Sequence, residues 1–453
     1  MNADEHQFLN PKRRQIAIIG TGISGLSAAW ALHQSQDITI FEANDYIGGH
    51  TNTVAFDAPD GPARVDTGFI VYNEPNYPNL TALFDQLGVA SDQTKMHFSV
   101  SVRDRGLEYG TNGLGGIFAQ KRNLLSPRYY AMIADIIRFY RRAPELAAEE
   151  TDISIGEFLR AENYSDGFAR DHLTPMAAAI WSCPADEMMN FPAKSLAQFF
   201  VNHGLVELGT PFYWRSVSNG SASYIPKLTA GFADRIRLNC AVRQVLRTSD
   251  GVQVETTAGD VEKFDAVILA VHGPQAKRIF ANPKADEREV LSAFKTQPNR
   301  AVLHTDPSFM PSRRKAWASW NYLCANSENN DLSVTYWMNE LQNLQTTQDV
   351  FVTLNPSTEP SPESVIGSYN YEHPIFDAAT IKAQRDIWSF QGRGGIWYAG
   401  AWLGFGFHED GIQAGLAVAE SMTGWERPWE FDRSNERIQR QLQQNVSLIR
   451  RAA

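Results

Sequence analysis

The 453-residue sequence has little cysteine, no long apolar run and no excess of basic residues. Its three cysteines, Cys183, Cys240 and Cys324, are far apart and odd in number, which excludes a disulfide framework and a cysteine-built metal site. No stretch approaches the ~18 consecutive apolar residues that cross a bilayer, and residues 1–14 lack the apolar core of a secretory signal. These absences predict a cytoplasmic protein without a transmembrane segment.

Basic residues and metal-ligand spacings are also scarce. The 41 Lys and Arg are outnumbered by 51 Asp and Glu, and the formal charge of −10 argues against a nucleic-acid partner. The ten histidines never form His-x-x-x-His, so we expect no metal site. Apolar residues make up 43% of the chain and charged residues 20%, which indicates a globular protein.

The first informative segment reads as strand, glycine turn and helix. The apolar run 15–19 leads into Gly20, Gly22 and Gly25, and small and apolar helix formers follow. Gly20 permits the tight turn, Gly22 lets the backbone approach a pyrophosphate, and Gly25 lets the helix pack closely on the strand. The N–H groups at the helix start, at Ile23 and Ser24, then face the phosphates.

An acidic residue in the expected place strengthens the dinucleotide interpretation. A second apolar strand, residues 38–41, ends at Glu42, which is 22 residues after Gly20. A carboxylate at this position binds the adenosine ribose hydroxyls.

The next loop indicates which dinucleotide is bound. Gly48-Gly49-His50-Thr51 and the later Gly68-Phe69 resemble the flavoprotein group that includes monoamine and polyamine oxidases, protoporphyrinogen oxidase and the phytoene desaturases. The resemblance implies FAD, held with the pyrophosphate beside this loop. His50 replaces the arginine usual in amine oxidases. Attachment of the flavin through cysteine is not expected, because the C-terminal flavin segment contains none.

The resemblance also implies that the FAD domain is assembled from separated segments. Val242 corresponds to the residue whose backbone holds the adenine, and the later flavin segment supplies Gly400, Ala401, Asp410, Gly411 and Ile412. The expected fold is α/β: a Rossmann-like, two-dinucleotide-binding domain with a parallel sheet, interleaved with an α+β substrate domain. The expected division gives residues 1–79, 201–272 and 391–425 to the FAD domain, 80–200 and 273–390 to the substrate domain, and 426–453 to a helical tail.

Within the group, the sequence is most similar to a bacterial subgroup of amine-oxidase-like proteins. The shared motifs are Gly-Gly-His-Thr, the segment 214–217 before Gly-Ser, and Phe-His-Glu-Asp-Gly at 407–411. Members of that subgroup are associated with enzymes that methylate or cyclopropanate fatty acyl chains, which implies a small-molecule or lipid substrate.

Candidate catalytic residues lie directly before the last flavin helix. Phe407 occupies about the place of an aromatic cage residue in amine oxidases and has no hydroxyl, which favours a less polar substrate. His408 is a candidate acid or base, or a structural residue at a helix start. A substrate channel is expected from the aromatic residues Trp320, Tyr322, Trp337 and Phe405. Lys295 and Arg300 flank the strand to His304, and amine-oxidase relatives place a lysine near flavin N5 in a comparable strand; neither residue is assigned that role.

Three functions remain open from the sequence. The leading one is hydride transfer from a C–H bond of a hydrophobic substrate, such as a lipid acyl chain undergoing desaturation, to flavin N5. The others are an amine oxidase that uses oxygen and a flavin-binding protein without turnover. The tail, residues 433–453, is either docked on the domain or a peripheral membrane contact. The sequence sets no oligomeric state.

Overall fold

A computed structural model describes residues 13–181, 188–202, 206, 214–326, 331–430 and 435–438. The strands within this part of the chain are β1 (Gln15–Ile19), β2 (Asp37–Phe41), β3 (Thr53–Ala58), β4 (Gly61–Asp66), β5 (Tyr72–Asn73), β6 (Ser91–Thr94), β7 (Phe98–Val102), β8 (Leu107–Gly110), β9 (Trp214–Val217), β10 (Ile236–Arg237), β11 (Val242–Thr248), β12 (Gly251–Thr256), β13 (Val261–Phe264), β14 (Ala266–Leu269), β15 (Lys295–His304), β16 (Trp320–Asn326), β17 (Asp331–Trp337), β18 (Phe351–Leu354), β19 (Val365–Ile375) and β20 (Ile396–Tyr398).

The helices of the described residues lie between these strands, except for α14, which follows β20. They are α1 (Ile23–Leu32), α2 (Pro78–Leu87), α3 (Leu114–Ile117), α4 (Pro127–Ala148), α5 (Ile155–Ala161), α6 (Asp166–Phe168), α7 (Thr174–Trp181), α8 (Ala193–Asn202), α9 (Ile225–Thr229), α10 (Gly273–Ile279), α11 (Ala285–Ala293), α12 (Met338–Leu341), α13 (Ala378–Asp386) and α14 (His408–Thr423).

A five-stranded parallel sheet has the order β10-β2-β1-β14-β20. Its strands come from three separated parts of the sequence. The four residues of β14 are all buried, as a central parallel strand requires. The carboxyl ends of parallel strands share one edge, so the glycine turn after β1, Glu42 after β2 and the segment after β20 meet there.

A seven-stranded mixed sheet forms the second large layer, in the order β19-β15-β18-β17-β16-β7-β8. Its inner face packs with α4, α7 and α8 in an apolar cluster that includes Phe139, Phe168 and Phe200. This cluster is separate from the one around the parallel sheet. The described residues therefore form two large cores and a small third cluster around Trp317 and Phe351. The large cavity lies between the two large cores.

The helices α1 and α14 pack unusually closely. A Cβ at Gly411 would lie 2.6 Å from Ile23 Cγ2, and one at Gly415 would lie 2.2 Å from the Ser24 carbonyl oxygen. These glycines let the two helices touch backbone to backbone, so both N-termini end at the same edge of the parallel sheet.

The expected C-terminal tail is described only at 426–430 and 435–438. Ile438 is fully buried in the core, and Arg437 Nε lies 2.9 Å from the buried Asp410 carboxylate. The start of the tail is thus docked on α14. Leu442 and Ile449, which the sequence predicts on one helical stripe with Ile438, lie outside the described residues. In the described parts of the chain, no helix combines the length and apolarity needed to cross a membrane.

Candidate cofactor and active site

A cavity of about 1330 Å³ runs along the carboxyl edge of the parallel sheet and on between the two cores. Most of the residues predicted for the cofactor line it: Gly20, Gly22, Ile23, Ser24, Glu42, Gly48, Gly49, His50, Gly68, Phe69, Val242, Gly400 and Ala401. Segments that are hundreds of residues apart in the sequence therefore meet around one cavity.

The three motif glycines have different physical roles. Gly20 has φ +103°, and a Cβ there would lie 2.6 Å from the Ala270 carbonyl oxygen. A Cβ on Gly25 would lie 2.1 Å from the Gly20 oxygen, so this glycine serves packing and stands behind the cavity. Gly22 has φ −62°, and no described neighbour lies within 4 Å of its Cβ position. Of the three motif glycines, only Gly22 has free space at its Cβ position, and it lines the cavity where a ligand would approach.

Glu42 is buried and fixed by the glycine turn. One carboxylate oxygen accepts a hydrogen bond from Thr21 N at 2.9 Å, and the other accepts from Asn44 N at 2.9 Å. The cavity next to it is lined by Cys240, Ala241 and Val242. This end therefore offers the oriented carboxylate and the backbone that an adenosine group requires.

A cluster of histidines surrounds His50. Its ring centroid lies 4.9 Å from that of Tyr371, 5.7 Å from that of His373 and 5.8 Å from that of His272. Burial, reinforced by the neighbouring imidazoles, lowers the pKa of His50 well below its ordinary value. The chain thus brings imidazoles from three separate segments together at this part of the cavity. Among the described residues, no group of His, Cys, Asp or Glu is arranged to hold a metal ion.

The helix α14 points its N-terminus toward the cavity, and two carboxylates stabilise its first turn from behind. Asp410 Oδ2 accepts from Phe407 N at 2.7 Å, and Glu409 accepts from Asn79 and Leu80 at the start of α2. Burial raises the pKa values of both groups. Neither lines the cavity, and the same is true of Gly411, Ile412 and Thr51. Thr51, Asp410, Gly411 and Ile412 are predicted to contact the cofactor, and the structure places them outside the lining of the cavity.

His408 lines the cavity in a fixed orientation. Its ring stacks on Phe69 with centroids 3.7 Å apart, and its Nε2 lies 3.0 Å from Tyr224 Oη and 3.1 Å from Thr51 Oγ1. Burial lowers the pKa of His408 to about 3. At neutral pH the imidazole is therefore uncharged, and it carries no second ring proton to donate as an acid.

The other half of the cavity is walled mainly by aromatic and thioether side chains. They are Met96, Phe98, Tyr140, Met176, Trp320 and Tyr336, with Phe405 and Phe407 at the end next to α14. The ring centroids of Trp320 and Tyr336 are 5.1 Å apart, because the two residues are paired directly across β16 and β17.

Two expected channel residues do not line this cavity. Side chains alternate along a strand, so Trp337 faces the opposite side from Tyr336 and packs with Trp317 and Phe351. Tyr322 lies on the Trp320 side but further along β16, inside the apolar core. The channel interpretation therefore shifts from Trp337 to Tyr336. The alternation of β17 was a signal in the sequence that Tyr336 and Trp337 lie on opposite faces of the sheet.

Lys295 and Arg300 also lie away from the cavity. Lys295 Nζ pairs with Asp377 at 2.9 Å, and Arg300 pairs with Glu359, both at exposed positions. Neither residue is placed to act near a flavin.

The described residues fit FAD. The open position at Gly22, the fixed Glu42 carboxylate and the N-termini of α1 and α14 follow one another along a single cavity. An elongated ligand with an adenosine, a diphosphate and a flavin ring requires this order.

A model of flavin-containing amine oxidoreductases matches residues 23–423. The chain belongs to this family. It is 26% identical over 274 residues to a protein of Mycobacterium tuberculosis named as a flavin-containing monoamine oxidase, with the match covering 58% of each chain. It is 24% identical over 336 residues to flavin-containing amine oxidase A of Sus scrofa, covering 68% of this chain and 58% of that protein.

Solved structures with the same fold include putrescine oxidase bound to putrescine, with a TM-score of 0.65 and 17% identity, covering 91% of this chain and 99% of that one. A fatty acid isomerase from P. acnes that produces CLA has a TM-score of 0.61 and 18% identity over the same shares. At these identities the likeness shows the fold. Membership of a flavin-containing family agrees with the cavity residues that suit FAD.

Proposed function

We propose that this chain is a cytoplasmic FAD-dependent oxidoreductase that desaturates a hydrophobic substrate, of which a lipid acyl chain is the leading class. Bound FAD supplies the acceptor for a hydride. Desaturation removes a hydride and a proton from adjacent carbons, so the proton passes to solvent and the two electrons leave to a redox acceptor.

The observation that carries the proposal is the lining of the substrate half of the cavity. The carboxylates among the described lining residues are Glu42 and Glu372. Glu42 is fixed in the glycine turn, and Glu372 accepts a hydrogen bond from Thr296 Oγ1 at 3.0 Å. The wall formed by Phe98, Tyr140 and Met176 therefore contains no carboxylate that could pair with an ammonium group. Its apolar side chains suit an apolar substrate chain.

His408 and its neighbours act as positioning residues in this proposal. The neutral imidazole keeps the hydroxyls of Thr51 and Tyr224 in place and packs flat on Phe69. Phe407, also at this end of the cavity, helps to exclude water from the reacting carbon.

The names of the relatives support an amine oxidase as the second candidate. The cavity volume counts against a flavin protein without turnover, because about 1330 Å³ exceeds the ~300–1000 Å³ of a single ligand site. A large cavity of this kind has room for a substrate in addition to the cofactor.

Anaerobic titration of the holoprotein distinguishes the candidates. We expect acyl lipids to bleach the visible flavin absorption band and primary amines to leave it unchanged. Bleaching by amines, followed by hydrogen peroxide release on admission of oxygen, would support the amine oxidase instead. No bleaching by either class would favour a protein that binds flavin without turnover.

A further inference from the structure

One exposed surface combines large apolar side chains with unpaired cations. We define it as the basic-apolar surface: Leu114, Lys121, Arg122, Leu124, Leu125, Tyr130 and Lys315. Leu125 is 88% exposed and Leu114 75%, and Leu124 and Tyr130 are each 47% exposed. A cluster of exposed leucines is unusual on a protein surface that contacts only water.

The parts of this surface are joined by direct contacts. Tyr130 Oη donates to the Leu124 carbonyl at 3.2 Å, and its ring lies 6.2 Å from that of Phe118. Phe118 N donates to the Leu114 carbonyl at 3.0 Å, and Asn112 Nδ2 lies 3.4 Å from the Lys315 carbonyl oxygen. The segments 112–130 and 314–316 therefore form one continuous surface.

The charge of this surface is opposite to that of the whole chain. Residues 109–134 and 307–326 contain no Asp or Glu, although the chain carries −10 overall. Arg128, Arg313 and Arg314 are neutralised by Asp171, Glu108 and Asp349. In the described structure, Lys121, Arg122 and Lys315 have no carboxylate within ion-pair distance, so a net positive charge remains beside the leucines.

We infer that the basic-apolar surface docks on an anionic lipid bilayer. The leucines enter the boundary between headgroups and acyl chains, Tyr130 lies at headgroup level, and the three cations face anionic headgroups. Thr111, directly before the segment 112–130, lines the cavity, which connects one end of this surface to it. The inference rests on the surface and holds whichever substrate is oxidised.

Vesicle co-sedimentation of the full-length holoprotein tests the inference. The probes are phosphatidylcholine vesicles with and without phosphatidylglycerol. We expect binding to the anionic vesicles, and at least a tenfold loss in Leu114→Ser/Leu125→Ser. The matched control is Val261→Ser, a 51% exposed apolar residue in β13, which should bind as the unchanged protein does.

A charge pair of variants tests the electrostatic part. Lys121→Gln, which removes one positive charge, should weaken binding to anionic vesicles roughly fivefold, whereas Lys277→Gln in α10 should not. Because none of these residues lines the cavity, anaerobic flavin reduction by a detergent-dispersed substrate should be unchanged in all variants. Loss of membrane docking and failure of the proposed chemistry are therefore separate results.

Three outcomes would overturn the inference. The first is an unchanged protein that ignores anionic vesicles. The second is binding that survives Leu114→Ser/Leu125→Ser but is lost when Arg440, Arg450 and Arg451 become Gln, which would assign docking to the tail. The third is a dimer in solution that the leucine variants dissociate, with no vesicle binding, which would make the surface an interface between copies.

Discussion

Folding and cofactor binding place different demands on neighbouring residues of the glycine turn. Gly20 and Gly25 are required by the protein itself, because any side chain would collide with backbone oxygens of Ala270 and Gly20. Gly22 has an ordinary φ of −62° and free space around it. Its glycine is therefore explained by a ligand that approaches the backbone.

The variant Gly22→Ala should separate these two demands. We expect the apoprotein to be as stable as before or slightly more so, because alanine restricts the unfolded chain. The affinity for FAD should fall at least tenfold, about 1.4 kcal/mol, measured by the fluorescence of released FAD. The matched control Gly115→Ala, also in open space, should bind FAD normally. Unchanged FAD affinity in Gly22→Ala would mean that the diphosphate lies elsewhere.

His408 provides a second test on a single residue. Since its pKa is about 3, it does not change charge between about pH 5 and 8. We expect His408→Gln to slow anaerobic flavin reduction by disturbing the contacts to Thr51 and Tyr224, without altering the shape of the pH–rate profile. If one limb of the pH–rate profile near neutral pH disappeared in His408→Gln, His408 would instead act as an acid or base in the reaction.

The contact between α1 and α14 determines where both helix N-termini end. At Gly415 an added methyl group would lie 2.2 Å from the Ser24 carbonyl oxygen and from Ser27 Oγ. We expect Gly415→Ala to destabilise the holoprotein by about 1–3 kcal/mol and to release FAD at lower urea concentration. Ser421→Ala, on an exposed turn of the same helix, is the control. Equal stability of the two variants would contradict the close packing.

The helical segment that contains α6 and α7 buries His172 among aromatic rings. Its Nδ1 lies 3.0 Å from Tyr109 Oη, and burial lowers its pKa to about 3. In the unfolded chain, His172 binds a proton below its ordinary pKa of about 6.5. In the folded chain it stays unprotonated until the pH is much lower. This group contributes stability above that pKa, and the contribution is lost as the pH falls toward 3.

The variant His172→Phe should reduce the acid sensitivity of the fold. Between about pH 5.5 and 4, the slope of the unfolding free energy against pH should be smaller by about 1.4 kcal/mol per pH unit. Urea unfolding at several pH values measures this slope. Parallel curves for the variant and the unchanged protein would contradict the lowered pKa of His172.

Sequence patterns do not determine which face of a strand borders the cavity. Trp337 and Tyr336 are adjacent aromatic residues in β17, and only the pairing of Tyr336 with Trp320 decides which of them faces the cavity. Composition favoured tryptophan as a channel residue, but the register of β16 and β17 placed Tyr336 there. A contact between strands that is not local in sequence determines this detail.

At the scale of the whole molecule, the parts of the site that could be predicted are those carried by short contiguous motifs. The glycine turn, Glu42 and Gly48-Gly49 have fixed spacings that backbone geometry imposes, and all of these residues except Gly25 line one cavity. The histidine cluster could not be predicted, because His50, His272 and His373 come from three distant segments. The pairing of Arg437 with Asp410 could not be predicted either. This ion pair gives Asp410, an expected cofactor contact, a structural role.

The central claim is that an apolar chain is oxidised in this cavity, and one single-turnover experiment tests it most directly. The holoprotein is mixed anaerobically with an equimolar acyl lipid, and the flavin spectrum and the mass of the acyl product are recorded together. The account predicts a bleached flavin and a product that has lost two hydrogens. An acyl product of unchanged mass with an oxidised flavin, or a flavin that only amines reduce, would contradict it.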